Sequence, residues 1–90
     1  MVRIEFDPVK RLRTLDARGL DMAEAGRVFD GPAMTFPDMR FAYGEARFVT
    51  VGFLSGRMVV LAWTPRDARR IISMRKANER EQERFGPQLG

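Results

Sequence analysis

The sequence predicts an α+β fold in a single domain spanning residues 1–90, and three observations carry that expectation. A short apolar alternation opens the chain, two capped helical stretches follow between residues 7 and 31, and β-branched and aromatic runs fill residues 46–76. Helices are thus segregated from strands that succeed one another through short turns. That is the pattern of helices packed on an antiparallel sheet, not of alternating β–α–β units. At 90 residues and 44% hydrophobic, the chain supports one core and is too short for two.

Each element has a local reason. Val2, Ile4 and Phe6 alternate with Arg3 and Glu5, giving a strand with one apolar face. Asp7 followed by Pro8 starts a helix, because the carboxylate accepts free backbone N–H groups and proline loses no hydrogen bond at the first helical position. Val9, Leu12 and Leu15 mark its buried stripe, and Gly19 is placed to end it in a left-handed conformation. A second helix opens with Asp21 and Glu24 at capping-box spacing, carries Met22, Ala25, Val28 and Phe29 on its apolar side, and stops at Gly31 and Pro32. Residues 34–36 read as a short edge strand, and residues 37–45 as a loop interrupted by Pro37, Asp38 and Gly44.

From Ala46 the strand signal strengthens. ARFVTVGFL and RMVVLAWT form a hairpin about Ser55 and Gly56. A turn through Pro65, Arg66 and Asp67 leads into RRIISMR, the last strand of an antiparallel meander. Simple alternation there puts Arg70, Ile72 and Met74 on one face and Arg69, Ile71, Ser73 and Arg75 on the other. Asn78 with Glu81 forms a capping box opening a C-terminal helix that reaches about Phe85, leaving residues 86–90 as a flexible tail.

Composition narrows the chemistry. Cysteine and histidine are both absent, which removes disulfides, thiolate nucleophiles and the commonest zinc ligand and neutral-pH proton carrier together. No cofactor or metal is implied, and any catalysis must use Arg, Lys, Glu, Asp, Tyr or Ser. The opening residues contain acids and no long apolar run, so they read neither as a signal peptide nor as a membrane span, and a cytoplasmic location is expected. Sixteen Lys and Arg against twelve Asp and Glu give a net charge of +4. From Arg66 to Lys76 the chain holds five cations (Arg66, Arg69, Arg70, Arg75, Lys76) and one acid, Asp67. Arginine dominates, and its planar fork matches phosphate oxygens, so a polyanion is the natural partner. The bland reading is that these are solvated strand ends whose stems lie along apolar surface. Trp63, in an apolar strand, is more often core than a platform for a stacked base.

Several stretches also carry a family resemblance. FDPVK (Phe6 to Lys10), RGLDMAEAGRVFDGP (Arg18 to Pro32), GEARFVTVG (Gly44 to Gly52), WTPR (Trp63 to Arg66) and RIISMRKANERE (Arg70 to Glu81) follow in order along nearly the whole chain. Together they resemble the BrnT toxins, within the RelE-like group of small ribonucleases of bacterial type II toxin–antitoxin systems. The last stretch is the most specific. Ala17 and Arg18 stand where that family commonly has Lys-His, and Trp63 where His or Tyr is usual.

The resemblance implies a RelE-like fold and a metal-independent endoribonuclease that inhibits translation. It implies RNA as substrate and a BrnA-like antitoxin of ribbon-helix-helix type as partner, through which the complex would bind operator DNA. Carried over residue by residue, it makes Arg75, Arg66 and Glu45 the catalytic candidates. Arg47, Arg70, Lys76 and Arg69 become the RNA-binding candidates. The alternative is a non-enzymatic RNA-binding or co-repressor module on the same fold.

Overall fold

In a computed structural model that describes residues 3–40, 42 and 44–89, the chain runs β1 (Ile4–Phe6), α1 (Pro8–Arg18), a 3-10 turn (Met22–Glu24), α2 (Ala25–Asp30), β2 (Met34–Pro37), β3 (Phe48–Leu54), β4 (Arg57–Pro65), β5 (Arg69–Lys76) and α3 (Glu79–Leu89). The α+β class holds. Val2, expected on the first strand, lies outside the described residues. The sheet order is β1-β5-β4-β3-β2, and β2 to β5 form the expected antiparallel meander. β1 joins it in parallel against β5, with Glu5 opposite Arg70, so the sheet is mixed. That register sends Ile4 and Phe6 into the core and leaves Glu5 to bind Arg70 on the other side at 2.5 Å.

The caps show which local signals held. Asp7 accepts the N–H groups of Val9 and Lys10, and Gly19 closes α1 at φ 68°. Asp21 accepts the Ala23 N–H, but no capping box forms: Glu24 pairs with Arg27, and a 3-10 turn precedes α2. Asn78 and Glu81 do form the reciprocal box at α3, each side chain accepting the other's backbone N–H. α3 continues past Phe85 through Pro87 to Leu89, because Leu89 still packs against the apolar sheet surface.

Two expectations are corrected. Val9, Leu12 and Leu15 are 56, 62 and 41% exposed, and α1 buries none of its residues. The helix is held by its polar side instead: Arg11 forms a two-pronged pair with Asp21, and Arg18 donates to the Met74 carbonyl at 2.8 Å. The core that α1 was expected to supply comes from Leu20, Met22, Ala25 and Val28, which cover Leu61, Ile71 and Met74.

The second correction concerns β5. Ala62 pairs with Ser73 while Trp63 pairs with Ile71, so Ile72 is an extra residue in the ladder. This bulge inverts the alternation beyond it. Ile71 and Met74 both enter the core beneath the first two helices, Arg69 lies on that same side, and Arg70, Ser73 and Arg75 share the opposite face.

Close packing fixes how α2 sits on the sheet. A Cβ on Gly52 would lie 2.7 Å from Val28 Cγ1 and 3.3 Å from the Pro32 carbonyl oxygen, so only glycine lets β3 pass beneath that helix. Trp63 is core, as its apolar strand predicts. It is 9% exposed, lies between Phe29 and Phe48, and donates its indole N–H to Thr50 Oγ1 at 2.8 Å.

Candidate active site

The face of the sheet turned away from α1 and α2 is only partly covered. Phe85 and Leu89 of α3 pack over Val51, Met58 and Val60 near the β3–β4 turn. Beyond them a groove of about 380 Å³ opens between α3 and residues 36–40, with Val49, Ala62, Ser73 and Arg75 along its floor. A floor that joins apolar side chains to a guanidinium suits a ligand that is anionic on one side and flat or apolar on the other.

Arg75 is the cation on the floor of this groove. Its two terminal nitrogens bind the two oxygens of Glu81 at 2.7 and 2.8 Å. Glu81 is fixed in turn by accepting the Asn78 N–H, so the capping box of α3 also orients the arginine. This hydrogen bonding raises the Arg75 pKa and lowers that of Glu81, so both stay ionised at neutral pH. Arg40 lies close enough to oppose the charge on Arg75, and is itself held by both oxygens of Asp38 at 2.9 Å. Arg80 and Arg84 complete a basic rim on the α3 side.

A second cationic cluster lies on the same face toward the β4–β5 turn. Arg70 stands opposite Thr64 in the ladder and is bound by Glu5. Continuing the β3–β4 register one residue beyond Phe48 and Trp63 brings Arg47 beside Thr64 from the other side. The Thr64 hydroxyl donates to the Ala46 carbonyl, and the Arg47 carbonyl accepts the Asp38 N–H, which ties this row to the groove lip. Arg66, in the turn, reaches Glu45 at 3.5 Å. Four ladder positions separate the Arg70 row from the Arg75 row, about 13 Å of strand.

The candidate residues therefore do not share one hollow. Arg75 lies in the groove, Arg47 and Arg70 lie in a separate row on the same face, and Arg66 with Glu45 form a pair in the loops beyond the strand ends. Arg69 lies on the opposite face with its guanidinium 4.2 Å from the Phe29 ring and 5.5 Å from that of Trp63, and Lys76 alternates away from Arg75. Sequence reasoning missed Glu81 as a partner of Arg75, and missed Arg40, Arg80 and Arg84 at the groove. The capping box identified Glu81, but not that the same carboxylate reaches back to the preceding strand. Among the described residues no three potential metal-ligating side chains converge, and no helix is long and apolar enough to cross a membrane.

Fold and charge together define a small basic α+β protein with guanidinium groups along an open sheet face. The chain belongs to the BrnT family: the model of that family, described as ribonuclease toxin BrnT of type II toxin–antitoxin systems, matches residues 6–81. Membership implies an RNA substrate and an antitoxin protein as partner. A search among curated proteins finds no match.

Proposed function

We propose that this protein is an endoribonuclease toxin that cuts RNA without a metal ion, inhibits translation in the cytoplasm and is neutralised by a BrnA-like antitoxin of ribbon-helix-helix type, whose complex with the toxin binds operator DNA. The observation that carries this reading is the groove with Arg75 at its floor and Arg40, Arg80 and Arg84 around it. In the reaction, the ribose 2′-oxygen attacks phosphorus, its proton passes to a base, and the bond to the 5′-oxygen breaks as that oxygen gains a proton. Charge grows on the non-bridging oxygens, where a fixed guanidinium stabilises the transition state more than the ground state.

Arg75 takes that role, and Arg47, Arg66 and Arg70 hold neighbouring phosphates along the face. Arg69 and Lys76 contribute at longer range to the attraction of RNA. Two carboxylates are candidates for proton transfer, Glu45 beside Arg66 and Glu81 beside Arg75. Glu81 is the better placed, because it lines the same groove as Arg75. Its lowered pKa keeps it ionised, though as a weaker base than a free carboxylate.

The test is controlled expression in bacteria with RNA integrity as readout, paired with cleavage of an RNA oligonucleotide by purified protein in excess EDTA. Growth arrest with RNA cleavage that survives the chelator and is lost in folded Arg75→Ala is the expected result. Harmless expression with intact RNA would instead favour the co-repressor module. Loss of cleavage in EDTA would overturn metal independence alone.

A further inference from the structure

α1 presents its apolar side to solvent. Val9, Leu12 and Leu15 recur every three residues, so they form one stripe along a helix of 11 residues, about 16 Å long. The described chain leaves them about half exposed, because the helix is held on its other side, by Arg11 to Asp21 and by Arg18 to the Met74 carbonyl. Continuous apolar surface of this kind on a folded domain marks a contact surface.

The charge around the stripe limits what can cover it. Of the cations on α1, Arg11 and Arg18 are engaged on its other side, which leaves Lys10 and Arg13 against the single acid Asp16. Arg11 is neutralised by Asp21, whereas Arg13 makes no ion pair among the described residues. A second copy of this chain would bring the same excess of cations, on a molecule of net charge +4, and three half-exposed side chains fall well below the surface a stable dimer buries. An acidic partner that also reaches other parts of the molecule meets neither objection.

We infer that the exposed face of α1 is the docking site for an amphipathic helix of the antitoxin, its apolar side on Val9, Leu12 and Leu15 and its carboxylates toward Lys10 and Arg13. The inference rests on the reading of this chain as the toxin of a toxin–antitoxin pair. No residue of α1 lines the Arg75 groove, so the contact anchors the partner without occupying the catalytic cluster. Beyond residue 71, β5 has no pairing with β1, so a segment leaving α1 has that strand's edge beside it on the way to the groove.

The experiment compares wild type with Leu12→Glu/Leu15→Glu, measuring by calorimetry the binding of the antitoxin encoded with this toxin and, separately, RNA cleavage by the toxin alone. Both positions are exposed and glutamate favours helix, so the variant keeps its fold, which a thermal melt checks. Antitoxin affinity is expected to fall by about 30-fold or more with cleavage unchanged. Arg13→Glu alone is expected to weaken it several-fold at low salt and less at high salt. Wild-type affinity in the double variant overturns the inference. So does a dimer of the toxin alone, seen by sedimentation, that the same variant dissociates. Antitoxin binding by a wild-type protein that cuts no RNA would count against the nuclease reading and leave the docking site standing.

Discussion

Arg75 and Glu81 face each other across the junction of β5 and α3 as a two-pronged ion pair, Nη1 to Oε1 at 2.7 Å and Nη2 to Oε2 at 2.8 Å. The pair joins a strand that forms the groove floor to the first turn of the helix that forms its wall. A guanidinium held in this way is oriented before any phosphate arrives, so less ordering remains to be done in the transition state.

Arg75→Ala is therefore expected to lower RNA cleavage by about 10²- to 10³-fold, as removal of a transition-state charge donor does elsewhere. Arg75→Lys is expected to recover only part of the rate, because an ammonium cannot make both bonds to Glu81 and a phosphate fork. The pair is partly exposed, so the cost to folding stays within about 1 kcal/mol. Oligonucleotide cleavage rates read beside thermal melts check this, and a variant that is inactive because it is unfolded would show in the melt.

Gly52→Ala probes the packing of α2 on the sheet. The added methyl collides with Val28 Cγ1 at 2.7 Å and sits tight against the Pro32 carbonyl oxygen. Overpacking of this kind costs about 1–3 kcal/mol. Urea unfolding should show the midpoint falling, and an unchanged midpoint would mean that α2 shifts freely.

Thr50→Val keeps the shape of a fully buried side chain and removes the acceptor of the Trp63 indole N–H. It also removes the partner of Thr35 Oγ1 at 2.8 Å. A stranded buried donor costs about 1–3 kcal/mol, so this variant should be markedly less stable despite its added methyl group. Chemical denaturation followed by tryptophan fluorescence reads the change directly.

Acid should expose the role of the α1 anchor. Hydrogen bonding from Arg11 first, and from the Ala23 N–H second, lowers the Asp21 pKa from 3.8 to about 2. A carboxyl depressed in the folded state contributes its stability above its unfolded pKa and loses it as pH falls through the folded one. The stability difference between wild type and Asp21→Asn is thus expected to be constant at neutral pH and to shrink between pH 3.8 and about 2. Its size should be about 1 kcal/mol, since the pair is still partly exposed. Denaturation across that range measures it, and a difference that persists at the lowest pH would show that charge is not its source.

The sequence alone determined the element order, most caps and the meander, because these depend on residues near one another in the chain. Asp7 with Pro8, Gly19 and the Asn78–Glu81 box act within four positions, and the β3 and β4 runs need only a short turn between them. The BrnT-like motifs were legible for the same reason. Tertiary structure decided the rest. The bulge at Ile72 brings Arg70 and Arg75 to one face where simple alternation would separate them, and it belongs to the ladder with β4, which the pattern of RRIISMR does not reveal. Periodicity identified the apolar stripe of α1, but which side of a helix meets the core depends on what holds it, here Arg11 and Arg18 on the polar side. The division of the cations into a groove around Arg75 and a row around Thr64 likewise depends on strands brought together from distant parts of the chain, which local patterns do not encode.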